Sequence, residues 1–361
     1  MKILYAIQGT GNGHLSRARE IIPLLRDKCE VDILVSGYQS EVELPFEVKY
    51  KPRGLSFMFG KKGGVDLWNT YIEANSKLFM EEVRSIPVRD YDFVINDFEP
   101  VSAWACHFKK VPCIAFSHQC ALLDKNVPRP KKKDFIGSLI LKNYAPSTSR
   151  FGLHFCKYSK DIFTPVIRSE IRNIENTDAG HYTVYLPSYD DSFLLKILQN
   201  IDENIKWQVF SKRAPQVTIQ KNVEIYPVTN DGFIRSMASS TGVLCGAGFE
   251  TPAEAMFLGK KLMVVPMQNQ YEQQCNAAAL KAMGVPVIKK LKEKHIETIR
   301  EWISSDFKIE ISYPDITARI VNQIFESFIL GLIDGSNPKK YISLTYPAEK
   351  KTKRKNKLPA H

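Results

Sequence analysis

No apolar run in this sequence approaches the ~18 residues that a membrane-spanning helix needs, so a spanning protein is not expected. The seven cysteines are an odd number without regular spacing. They point away from a disulfide framework and toward a reducing compartment. Lys2 leads straight into an apolar strand, without the long apolar core of a secretory signal. The expected location is cytoplasmic. Gly-Lys-Ser/Thr does not follow the N-terminal glycines, which excludes a P-loop. The second strand ends in Ser36-Gly37, without the acid that would hold the ribose of a nicotinamide dinucleotide. The one Asp-x-Asp, Asp90-Tyr91-Asp92, precedes a strand rather than following one. It reads as a turn, and no metal site is expected. Cys106, His107, Cys113, His118 and Cys120 are close in sequence. Cys106 falls inside a helix and Cys113 inside a strand, however, where a thiol packs as a small apolar group, and zinc prefers tight pairs on turns.

What is present is a soluble composition over 361 residues, 44% hydrophobic and 25% charged, enough for two domains with full cores. The net charge of +11 is uneven. Eight basic and two acidic residues fall between Asp334 and His361, so more than half the surplus sits in the last stretch. Residues 331–361 are expected to be a basic disordered tail. Its charge suits an anionic surface, and no specific nucleic-acid partner is expected. Between Val127 and Ser149, Arg129, Lys131, Lys132 and Lys133 precede Phe135, Ile136, Leu139, Ile140 and Leu141. This is either a surface helix with a membrane-facing side or cover for the core.

Apolar strands alternate with helical stretches along most of the chain, the pattern of α/β architecture with parallel sheets. Ile3 to Ile7 form the first strand, followed by Gly9-Thr10-Gly11-Asn12-Gly13-His14 and a helix that Pro23 should kink. Asp66 to Arg84 reads as helical. Strand 93–96 delivers Asp97 and Glu99, and strand 112–116 delivers His118, to the edge where parallel sheets bind ligands. A second alternation begins at Tyr182, whose strand ends at Pro187-Ser188. It culminates in Thr241 to Leu280: strand, Gly246-Ala247-Gly248, helix, strand, then a polar run holding Glu272, Gln273 and Asn276. Thr251 is expected at the helix N-cap, with Pro252 first in the helix and Glu254 closing a capping box. A helix N-terminus behind a glycine turn suits phosphate. A last helix carries Ile316, Ile320, Ile324 and Phe328 in one stripe.

These features resemble the GT-B glycosyltransferases, two Rossmann-like doubly wound domains facing across a cleft. Gly9 to His14 is similar to the glycine loop of the N-acetylglucosaminyltransferase that builds the lipid-linked peptidoglycan precursor. Pro165-Val166-Ile167-Arg168 and Phe233 to Ala238 resemble further segments of it. Residues 246–276 are similar to the donor site of that family and of the UDP-glycosyltransferases. The resemblance implies an N-terminal acceptor domain over 1–165, a donor domain over 166–312, and a helix over 313–330 returning to the first domain. It implies His14 as general base with Asp97 orienting it, and an acceptor or phosphate loop of Gly9, Thr10, Gly11, Asn12 and Gly13 with Glu99 and His118 nearby. Donor contacts would come from Arg168, Ser188, Phe233, Ile234, Gly246, Gly248, Phe249, Glu250, Thr251, Glu254, Glu272, Gln273 and Asn276. Uracil would meet the Phe233–Ile234 backbone, ribose Glu254, diphosphate the amides up to Thr251, and sugar hydroxyls Glu272 and Gln273. Gly246 stands where many UDP-glycosyltransferases carry a phosphate-binding His, and Glu250 where a neutral residue is common.

The expectation is a metal-independent transferase without a cofactor. It would use a nucleotide-sugar, UDP-linked in the manner of the family it resembles, and a saccharide or lipid-linked acceptor, at the inner face of a membrane in cell-envelope glycan or glycolipid synthesis. The rivals are a UDP-sugar 2-epimerase on the same fold and a nonenzymatic nucleotide-sugar-binding protein.

Overall fold

The computed structural model describes residues 1–37, 44–55, 77–132 and 134–331. The basic tail, and the part of the expected 66–84 helix before residue 77, lie outside them. The first half runs β1 (Lys2–Gln8), α1 (Asn12–Arg26), β2 (Glu30–Ser36), α2 (77–85), β3 (Phe93–Asp97), α3 (Pro100–Lys109), β4 (Cys113–Ser117), α4 (His118–Ala121), α5 (Phe135–Asn143), β5 (Ser149–Leu153) and β6 (Ile162–Phe163). After α6 (Ser169–Arg172) come β7 (His181–Tyr185), α7 (Asp191–Leu198), β8 (Lys206–Ser211), β9 (Thr218–Gln220), β10 (Val223–Pro227), α8 (Asn230–Ser239), β11 (Gly242–Cys245), α9 (Glu250–Phe257), β12 (Lys261–Val264), α10 (Tyr271–Ala282), α11 (Ile296–Ser304) and α12 (Thr317–Ile329).

The strands form two six-stranded sheets, ordered β2-β1-β3-β4-β5-β6 and β12-β11-β7-β8-β10-β9. Every pairing is parallel except β9 with β10 at the edge of the second sheet. The strand order reverses direction between β1 and β3 in the first sheet and between β7 and β11 in the second. At such a switch the following loops diverge and leave a crevice at the strands' C-terminal ends. His14 follows β1 and Asp97 ends β3. The glycine turn follows β11, beside the end of β7.

Strand alternation explains why the central strands read as unbroken apolar runs. On β1, Ile3, Tyr5 and Ile7 join one core while Leu4 and Ala6 join another on the opposite face. In the second sheet Val243 and Cys245 face one way and Leu244 the other. The largest cluster draws from both lobes and includes Ile320, Val321, Ile324 and Phe325 of α12. That helix lies on the first lobe, with the Phe328 and Phe325 rings 4.5 and 5.5 Å from the ring of Phe93. Pro23, expected to kink α1, sits within a helix that continues to Arg26.

One local expectation is corrected. Helix α9 begins at Glu250 with Phe249 at its N-cap, and the cap position makes no side-chain hydrogen bond. Thr251 and Pro252 therefore fall inside the first turn, and the expected capping box is not formed. Glu254 is turned instead to Arg168. The cysteines at 106, 113 and 120 are buried free thiols. Among the described residues no group of three or more His, Cys, Asp or Glu could hold a metal.

Candidate active site

A cleft of about 1190 Å³ lies between the two lobes, lined from the first by Thr10 to His14, Phe98 and Gln119, and from the second by Phe233, Gly248 to Thr251, Glu254, Glu272 and Gln273. Gly11 takes φ +106 before α1, a conformation that side chains resist. Gly13 is small for a different reason: a Cβ there would lie 2.5 Å from Glu250 Oε2. The second lobe's carboxylate rests directly on the first lobe's loop.

His14 and Asp97 meet across the β1/β3 switch point, Nδ1 to Oδ1 at 2.8 Å. The carboxylate accepts, so Nδ1 carries the proton. On the other side of the ring the Gln119 amide nitrogen lies 3.3 Å from Nε2. That amide also donates to Glu272 Oε2 at 3.2 Å, which fixes its nitrogen on this side. Nε2 therefore stays unprotonated, its lone pair accepting from the Gln119 amide at the cleft wall, which is the tautomer a base requires. Burial alone would lower the imidazole's pKa, but the charge and hydrogen bond of Asp97 outweigh it, with help from Glu250, and the pKa is raised above 6.5. Asp97 is itself fully buried, yet Arg17 and His14 hold its pKa below the ordinary carboxylate value. Phe98, next in sequence, turns the chain with φ 57 and presents its ring to the cleft.

On the second lobe Arg168 grips Glu254 with two hydrogen bonds, Nε to Oε1 at 2.6 Å and Nη2 to Oε2 at 2.8 Å, and donates to Asn230 at 2.8 Å. Burial pushes the Glu254 carboxyl upward in pKa against the pull of Arg168. Gln273 accepts from the Met267 amide at 2.9 Å, and Gly246 lies beneath it. Glycines 246 and 248 leave the N-terminal end of α9 uncovered, with nothing within 4 Å of a Cβ at 248.

Other expected site residues stand elsewhere. Glu99, placed in the phosphate loop from sequence, is the N-cap of α3: it accepts from Val101 and Ser102 at 2.8 and 2.7 Å and is fully buried. Asn96 ties the same turn by bonding to Glu99 at both ends. Ser188 belongs to a separate open pocket with Tyr189, Phe193 and Lys290. Gly9 packs on the backbone of residues 36 and 37, and Ile234 is buried in the core.

His118 and Asn276 are bonded to each other at 2.7 Å across the two lobes. His118 also bonds the Leu153 carbonyl at 2.9 Å, and Asn276 donates to the Ala247 carbonyl at 3.1 Å. The His118 ring stacks on Phe249 with centroids 3.9 Å apart and planes 7° apart. These two residues fasten the lobes rather than line the cleft.

Arg17 and Gln119 were not singled out from sequence as site residues. Arg17 donates to both oxygens of Asp97 at 2.7 to 3.2 Å and to Glu250 of the other lobe. Its spacing of three from His14, which puts the two on one helical face, was the available signal.

Two parallel sheets facing across a cleft, with an imidazole–carboxylate pair at one switch point and a glycine turn opening a helix at the other, define a glycosyltransferase of GT-B fold. The chain belongs to glycosyl transferase family 1, whose family profile matches residues 1–305. Among curated proteins no sequence matches. Solved structures show the same fold at low identity. MurG of Acinetobacter baumannii is 14% identical with a TM-score of 0.55, over 90% of this chain and 100% of that one. UGT89C1 of Arabidopsis thaliana, complexed with quercetin, is 11% identical with a TM-score of 0.56, over 91% and 94%. S. aureus MnaA with UDP is 12% identical with a TM-score of 0.58, over 92% and 97%.

Proposed function

We propose that this enzyme moves a sugar from a UDP-sugar to an acceptor hydroxyl, with His14 as general base and the interlobe cleft as the site of reaction. The observation that carries the reading is the His14 tautomer. Nδ1–H is held by Asp97, and unprotonated Nε2 rests on the Gln119 amide in the wall of the cleft that the start of α9 also lines, where an acceptor hydroxyl would displace that amide. As the acceptor hydroxyl attacks the anomeric carbon, its proton passes to Nε2, and Asp97 stabilises the imidazolium that results. The leaving diphosphate gains negative charge. The amides at Gly248 to Thr251 and the helix dipole meet that charge with fixed donors, which leaves metal binding unnecessary for the step. Glu254, steadied by Arg168, serves the ribose hydroxyls. The Phe233–Ile234 backbone serves the base, and Glu272 and Gln273 serve the sugar. UDP in the S. aureus MnaA structure supports the choice of nucleotide.

The acceptor in this reading is a saccharide or lipid-linked hydroxyl presented at an anionic membrane from the cytoplasmic side. Helix α5 supports it: Phe135, Ile136 and Leu139 are 78%, 58% and 62% exposed, Arg129, Lys131 and Lys132 precede them, and Ile136 and Ile140 also line the cleft. Among the described residues no helix is long and apolar enough to cross a membrane.

The test is turnover and UDP affinity in His14→Ala. Loss of transfer with UDP binding retained is expected, and unchanged transfer removes His14 from the mechanism. Incubating the enzyme with UDP-sugars alone, then analysing products, separates transfer from epimerisation.

A further inference from the structure

Arg17 sits one helical turn beyond His14, and its side chain is only 2% exposed. A guanidinium so far out of water needs anions at its fork. Two carboxylates supply them, one from each lobe. Asp97 takes Nε at 3.2 Å and Nη2 at 2.7 and 2.8 Å, and Glu250 takes Nη1. Asp97 Oδ1 is shared between Arg17 and His14 Nδ1, so one carboxylate serves both the fixed cation and the base. Glu250 reaches Arg17 over Gly13, in a space that any Cβ at 13 would fill.

We propose that Arg17 is a positioning residue that couples the His14–Asp97 pair to closure of the cleft, because its second carboxylate arrives with the opposite lobe. This rests on His14 being the base. With the lobes together, Glu250 takes up part of the guanidinium's charge and Asp97 is left to serve the imidazole. With the lobes apart, Arg17 has Asp97 alone, and its uncompensated charge opposes protonation of the ring beside it. Closure thus strengthens the base when an acceptor proton has to be taken.

The charged and titratable groups around His14 are few. Asp97 comes from β3, Arg17 from α1 and Glu250 from α9, while Glu272 of α10 acts through the Gln119 amide. The Tyr5 phenol of β1 is buried beside Arg17 and Asp97 and stays neutral, its pKa pushed up by burial. Among the described residues, Glu250 is the group of the opposite lobe that bonds Arg17.

The experiment titrates the ring carbons of the full chain labelled at histidine, without donor or acceptor, with the His14 signal assigned from His14→Gln. The His14 midpoint is expected at lower pH in Glu250→Gln than in wild type, and back toward wild type in Glu250→Asp, which restores the charge. Arg17→Lys keeps the charge but cannot span both carboxylates, so Glu250→Gln added to it should move the midpoint less. Glu250 is one-quarter exposed, so folding should survive its substitution, and Tm is read alongside. A His14 midpoint unmoved by Glu250→Gln, even with a lowered Tm, overturns the proposal, since the pair would then only fasten the lobes. The titration needs no turnover. Unchanged sugar transfer in the His14→Ala assay would sink the functional reading without touching this result.

Discussion

His14 and His118 start from similar positions and end in opposite environments. Each follows a parallel strand of the first lobe, at or near a helix start, on the same sheet edge. His14 has a carboxylate on one nitrogen and the cleft at the other. His118 has its nitrogens on the Leu153 carbonyl and Asn276, with Phe249 against its ring face. Burial acts on both. In His14 the Asp97 charge overrides it and raises the pKa, whereas in His118 burial prevails and lowers it. Place on the rim does not set a histidine's pKa; the partners on its nitrogens do.

The largest expected break in this comparison is kinetic. His14→Ala should lower kcat by about 10²–10⁴-fold with little change in Tm. His118→Ala should instead cost about 1–3 kcal/mol of stability, because it leaves the Asn276 Oδ1 buried without a donor. Its kcat per folded molecule should fall far less. Stopped assays beside thermal melts decide the matter, and comparable kcat losses would erase the distinction. A double-mutant cycle between His118 and Asn276 should return a coupling of about 0.5–3 kcal/mol in stability, whereas His14 with Asn276 should be additive. Gly13→Ala should displace the Glu250 carboxylate from Arg17 with little change in Tm, because the methyl meets the far end of that side chain, read as reduced kcat/KM.

The smallest effect is a difference in titration. In one labelled sample His14 should titrate above 6.5 and His118 below it. The acidic limb of kcat/KM should follow His14 and lie above 6.5, with activity lost as the ring is protonated. Linkage gives opposite signs for stability. The raised His14 pKa contributes stability that is present below 6.5 and lost as pH rises through the folded value. The lowered His118 pKa contributes stability that is present above 6.5 and lost as pH falls through the folded value. Asp97, also lowered, contributes above 3.8 and loses its contribution as pH falls through its folded value.

Much of the fold was legible because buried parallel strands leave unbroken apolar runs, as at Ile3 to Ile7 and Val243 to Cys245. The His14–Asp97 encounter was legible only through resemblance, since nothing in spacing tells that β1 and β3 are neighbours. Glu99 was misplaced although the signal was there. Pro100 takes the first turn of α3, which marks the residue before it as a cap. At α9 the same rule misled. Thr251-Pro252 looks like a cap and first turn, but Phe249 packs on His118 and the helix starts earlier. Arg17 was not legible beyond its spacing from His14, because its two anions lie 80 and 233 positions away in sequence.

The chain passes between the lobes twice, after Phe163 and again before Thr317, and Arg172 near the first passage donates to the Tyr313 carbonyl on the second at 3.0 Å. Tyr313 in turn donates to Phe155 of the first lobe at 2.9 Å. Two strands pinned side by side permit bending about one line and resist sliding or twisting. In the proposed motion each closing stroke should therefore bring Glu250 back along the same arc, to within reach of the same guanidinium.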